Sequence, residues 1–117
     1  MPIRIVKDQI SFEELQKAAK ESFGDMVKAV VDVQKGILAL GGGMHADAEE
    51  ELLRAGSRQE DVWGINIYPE MPPDRRIQYE SLINIRPRQN SRSMEIEDAG
   101  LREKINKVVN SLVKWND

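Results

Sequence analysis

An α+β fold is what this sequence predicts: a mixed or antiparallel sheet of about five strands and three helices, in two layers. Three observations predict it. Apolar residues recur at helical spacing in three separate segments. Between those segments, apolar and polar residues alternate with the period of a strand. The order that results is β-α-β-β-α-β-β-α, which suits a sheet with helices packed on one face. At 117 residues the chain is read as a single domain, 1–117, with a core large enough to need no staples.

Residues 3–7, IRIVK, alternate and form a short strand, at an edge because Pro2 precedes it. A helix over 11–23 follows. Ser11 and Glu14 make a capping box, Ile10 and Leu15 a hydrophobic staple, and Gly24 supplies the stop. Val27, Ala29, Val31 and Val33 then alternate against Lys28, Val30 and Asp32. The turn Gln34-Lys35-Gly36 returns the chain as ILALGG, so a hairpin is expected, central in the sheet. A run of three glycines, Gly41–Gly43, leads into a helix that begins near His45 or Asp47 and ends before Gly56. Ala48, Leu52 and Ala55 are its expected buried stripe. VWGINIYP is a strand with Trp63, Ile65 and Ile67 on one face. EMPPDRR is a loop, because Pro72-Pro73 fits no regular element. IQYESLINIR reads as the longest strand, with Ile77, Tyr79, Ser81, Ile83 and Ile85 on one face. RPRQNSRSMEIE is irregular. Asp98 is the N-cap of a last helix that carries Leu101, Ile105, Val108, Val109, Leu112 and Trp115 at helical spacing. With helices on one face only, Val30, Leu82 and Tyr68 fall on the other and suit a subunit interface.

Composition narrows the chemistry. There is no cysteine, so disulfides, thiolate metal sites and cysteine nucleophiles are excluded. A cytoplasmic location fits that absence. The N-terminus has no long apolar region of the signal-peptide kind, and no apolar run is long enough to span a bilayer. Net charge is −3, against a role devoted to non-specific nucleic-acid binding. No serine-histidine-acid arrangement or GxSxG elbow is evident, and no catalytic spacing is diagnostic; the balance falls on the side of a non-enzyme with no cofactor.

Four constellations could carry function. The glycine run into a helix could cradle phosphate on backbone N–H groups, but it matches neither GxGxxG nor a P-loop, and acids from Asp47 to Glu51 would repel an anion. A closely packed turn is the preferred reading. His45, with Asp47 and Glu49, could hold a divalent metal or form an acid–base pair, since His45 and Glu49 are one helical turn apart. The plain alternative is a histidine that packs at the helix start beside acids that suit the dipole. On the last two strands, Asn66, Tyr68, Asn84 and Arg86 share an alternate face. Asparagine runs against strand propensity, so the two INI triplets need an account: a ligand site, a hydrogen-bonded interface, or a solvated face. Finally, Arg75 to Arg92 carries a local balance of +4, and Asp47 to Asp61 a balance of −4. These patches could pair with each other, or Arg86, Arg88 and Arg92 could bind an anion. Only one aromatic, Tyr79, lies among these cations, which lowers a nucleic-acid reading.

The stretches GDMVKAVVDV, HADAE, WGINIYPE, SLINIRP and REKI together resemble a family of short bacterial and archaeal proteins catalogued only as a domain of unknown function. The resemblance covers nearly the whole chain and implies a free-standing domain with no activity to transfer. The expectation that follows is a homo-oligomeric binding module, a dimer, that recognises an anionic small molecule or partner protein. Its site would be Arg86, Arg88, Arg92, Asn84, Asn66 and Tyr68. The alternative is a small metal-dependent enzyme using His45 with Asp47 or Glu49.

Overall fold

The structure is a computed structural model that describes residues 2–117. From the N-terminus its elements are β1 (Arg4–Val6), β2 (Ile10–Ser11), α1 (Phe12–Glu21), β3 (Val27–Asp32), β4 (Ile37–Leu40), α2 (His45–Arg54), β5 (Val62–Ile67), β6 (Ile77–Gln78), α3 (Ala99–Leu112) and β7 (Val113–Lys114). Five strands form an antiparallel sheet in the order β1-β4-β3-β5-β6. The fold is α+β, with the expected strand count and three helices.

Strand β3 lies at the centre of that sheet because its residues are apolar on both faces. Val27, Ala29 and Val31 point to one core, which holds Leu15, Ala18 and Ala19 of α1 and Ile105, Val108 and Val109 of α3. Val30 points to the other, with Ala39 of β4, Ala48 and Leu52 of α2, and Val62. The β3–β4 hairpin closes as expected. The buried carboxylate of Asp32 accepts from the amides of Gln34 and Lys35 and from the Ser57 hydroxyl, and Gly36 turns with φ +68°. α1 opens on the expected capping box, Ser11 Oγ to the Glu14 amide and Glu14 to the Ser11 amide. The small parallel pair β2–β7 ties the start of α1 to the end of α3.

Three expectations need correction. The helices do not share one layer: α1 and α3 cover one face of the sheet and α2 the other. The sheet face that held Val30 therefore needs no second subunit to cover it. Ala55 is exposed, so of the expected stripe of α2 only Ala48 and Leu52 are buried, joined by His45.

The third correction concerns the long strand expected at 77–86. Only Ile77 and Gln78 pair with β5. A single bridge, Glu80 to Glu95, follows, and then the chain leaves the sheet in a 3₁₀ turn at Leu82–Asn84, with Ser81 Oγ accepting from the Ile83 amide. The reason lies in Asn84. Its fully buried side chain donates to the Gly64 carbonyl and accepts from the Gly64 amide. One side chain thus occupies the ladder position where a longer β6 would have paired. The alternation of isoleucines broke with it: Ile85 is exposed while Asn84 is buried.

Candidate functional site

Arg86 is held by the fold. Its Nε donates to the Ile83 carbonyl (2.9 Å), Nη1 to Gln59 (2.5 Å) and Nη2 to Val62 (2.5 Å). Nη2 also reaches Glu49 Oε2 at 3.3 Å, and the guanidinium stacks on the Trp63 ring at 4.4 Å. With its side chain only 9% exposed, Arg86 is spent in fastening residues 82–91 to β5 and α2. It is also where the basic stretch meets the acidic one. Burial raises the Glu49 pKa above the ordinary carboxylate value, and Arg86 pulls it back down. Arg88 and Arg92 stay exposed. Asn84 is committed to Gly64 and to the Met94 carbonyl. Tyr68 lines a separate open cleft with Arg75, Tyr79 and Arg102. With Asn66 in the cleft described below, the six residues expected to form one site are divided among five surroundings.

His45, Asp47 and Glu49 separate as well. His45 turns into the sheet, Asp47 to solvent and Glu49 to Arg86. Among the described residues, no three His, Asp or Glu side chains gather as they would around a metal ion.

What the fold does bring together is a cleft of about 320 Å³ at the head of α2. Lys28 of β3, Asn66 of β5, Glu80, and Met44, His45 and Ala46 at the helix start line it, with Leu82, Ile83 and Met94. Strand pairing sets the first two side by side, because Lys28 is in register with Asn66. The close packing there requires Gly64: a Cβ at that position would lie 2.6 Å from Ser81 Cβ and 3.2 Å from His45 Cδ2.

The electrostatics of this cleft follow from three features. First, α2 begins without a side-chain cap, since the N-cap residue is Met44 and a thioether chain offers no acceptor oxygen. The start of the helix borders the cleft with no side-chain acceptor on its first amides, although the Asp47 amide donates to the Met44 carbonyl. Second, His45 Nε2 lies 2.8 Å from the Ile65 carbonyl. A carbonyl only accepts, so Nε2 carries the proton and the lone pair of the neutral ring is on Nδ1. Burial holds the His45 pKa below its ordinary value; the Ile65 carbonyl opposes that, Lys28 adds to it, and the neighbouring Asn66 side chain opposes it again. Third, the Asn66 amide nitrogen donates to Gln78 Oε1 (2.9 Å) and to the Glu80 carbonyl (3.2 Å). The Glu80 carbonyl fixes the amide's orientation. With His45 neutral, Asn66 Oδ1 is left buried with no hydrogen-bond partner; only the protonated ring would donate to the Asn66 side chain.

The family described as "Protein of unknown function (DUF5674)" matches residues 4–112. The chain belongs to that family. The match spans every element except β7, so the cleft and all its lining residues lie within the family domain. No curated protein and no solved structure matches the chain.

Sequence reasoning singled out two polar residues of this cleft, His45 and Asn66, as site candidates, and Leu82 as an interface residue. It missed Lys28, which the period of β3 put on the same face as Val30. It also missed Met44, although an apolar residue where Ser, Thr, Asp or Asn usually caps a helix is a visible signal. Three of the four acids that argued against an anion at this helix end are engaged elsewhere: Glu50 and Glu51 pair with Arg54, and Glu49 with Arg86. Asp47 stays in the first turn of α2, exposed and without an ion pair among the described residues.

Proposed function

We propose that this protein is a small cytoplasmic binding domain that takes a small molecule with an anionic group in the cleft at the head of α2. Asn66 Oδ1 carries the reading. A buried acceptor without a partner costs about 1–3 kcal/mol, which a ligand donor would recover. The anionic group follows from the uncapped helix end and from Lys28, which makes no ion pair among the described residues and stacks only on Phe23 at 5.5 Å. The expected anion thus moves from Arg86 to Lys28 and the helix.

Thermal melts with millimolar small carboxylates, with and without an α-amino group, test this. A ligand that binds the folded chain raises Tm. The rise is expected in the wild type and in an Arg88→Ala, Arg92→Ala double variant, and is lost in Lys28→Met. A rise that survives Lys28→Met and disappears in the double arginine variant would put the anion back at the arginines. No rise with any of them would also overturn the proposal.

A homodimer remains a second reading, on a different ground from the uncovered sheet face. Met44 (60% exposed) and Leu82 (68%) are large apolar side chains at one rim. Light scattering separates the cases: a mass of 13.3 kDa is the monomer, and twice that supports self-association.

A further inference from the structure

We infer that the ligand of this cleft is a free α-amino acid with an apolar side chain. The inference rests on the reading of the cleft as a ligand site and adds the class of molecule it takes.

Charge decides first. The cleft holds one cation, Lys28, and one carboxylate, Glu80, and neither has an ion-pair partner among the described residues. They come from either side of β5, which pairs with β3 at Lys28–Asn66 and with β6 at Asn66–Gln78. Two strand spacings, about 10 Å, separate Lys28 from Gln78 across the sheet, and Glu80 follows two residues further along. Asn66, with its unpartnered Oδ1, lies between them. A plain anion would meet the helix end and Lys28 well, but it would bring more negative charge to Glu80 and to an oxygen that needs a donor. A plain amine would satisfy Glu80 and Asn66 and leave the helix end and Lys28 unmatched. A zwitterion answers both. Its carboxylate faces the first amides of α2 and Lys28, and its ammonium, with three N–H donors, faces Glu80 and Asn66 Oδ1.

The rim decides the side chain. Met44, Leu82 and Met94 are all exposed large apolar residues, and all three border this one cleft. They offer flexible apolar cover to an aliphatic side chain that projects outward. At about 320 Å³ the cleft is near the lower end of the range for small-ligand sites, roughly 300–1,000 Å³, which favours one amino acid over a nucleotide or a peptide.

Isothermal titration calorimetry of the full chain tests the inference with L-leucine, 4-methylpentanoate (the same skeleton without the amine), 3-methylbutylamine (without the carboxylate) and glycine. Leucine is expected to bind, and each truncated ligand to bind about tenfold or more weakly, the loss that one charge-assisted hydrogen bond brings. Glu80→Gln, whose side chain gives up no hydrogen bond of the fold, is expected to weaken leucine about tenfold and to bind 4-methylpentanoate at least as tightly as the wild type does, because the like charge beside the carboxylate is gone. If 4-methylpentanoate binds as tightly as leucine and its binding is lost in Lys28→Met, the zwitterion is wrong and the anion site stands. If glycine matches leucine, the apolar side chain is wrong. If none of the four binds at millimolar concentration, both the amino-acid inference and the ligand-site reading fall.

Discussion

Asn84 supplies Gly64 with both of the hydrogen bonds that a neighbouring strand residue would otherwise give. Removing it strands a buried amide and a buried carbonyl together. Asn84→Ala is expected to cost about 3 kcal/mol, at about 1–3 kcal/mol for each buried polar group left unpaired. Urea denaturation reads this directly; a loss within error of zero would mean that water replaces the side chain. His45 makes a pH prediction. Its pKa is held below the ordinary 6.5 by burial, so between the two values the unfolded chain binds a proton that the folded chain resists. Its contribution is therefore complete above the unfolded value and is lost as pH falls through it. His45→Gln can keep an N–H on the Ile65 carbonyl and removes the titration. Comparing melts at about pH 7.5 and about pH 5.5, the wild type should lose more Tm than the variant. Lys28 and Glu80 face the same cleft, and only the difference between the two proteins isolates the histidine.

At the scale of an element, α2 shows how narrow a docking stripe can be. Ala48 and Leu52 are fully buried against Val30, Ala39 and Val62, while the adjacent Leu53 is 37% exposed. Two leucines side by side thus give a matched pair. Leu52→Ala is expected to cost about 3 kcal/mol, the middle of the range for a buried leucine. Leu53→Ala should stay within about 0.5 kcal/mol. Equal losses in chemical denaturation would show that α2 does not dock as described. The segment after β6 teaches a second lesson. Ile77, Tyr79, Ile83 and Ile85 on one alternating face made 77–86 look like a strand, yet a strand also needs a partner edge with free ladder groups. Gly64 has given its groups to Asn84, and Arg86 locks the chain in place by reaching Gln59, Val62 and Glu49. Ser81 as a cap, Asn84 and Pro87 were the local signs of a break, and each was compatible with a strand end until the partner was known.

In the whole molecule, β3 contributes to both cores, so neither face can come apart while the other stays intact. With a radius of gyration of 12.9 Å, close to the roughly 13 Å expected at this length, the chain is expected to unfold in one step. Far-UV circular dichroism and tryptophan fluorescence, which reports Trp63 in the sheet and Trp115 near the C-terminus, should give coincident urea transitions. Two separate midpoints would show that the α2 face unfolds independently. The sequence by itself determined what depends on near neighbours: the capping box at Ser11, the hairpin turn at Gly36, the helix N-cap at Asp98, the two-sided apolar character of β3. These are set by interactions within a few residues, so periodicity and turn chemistry reveal them. Only the tertiary structure decided which face α2 covers, which arginine is consumed, and which polar groups converge at the helix head. Lys28, His45, Asn66 and Glu80 are far apart in the chain and meet through strand register and the path of a crossover. A local pattern gives each residue a face, and only the packing of the elements gives those faces their neighbours.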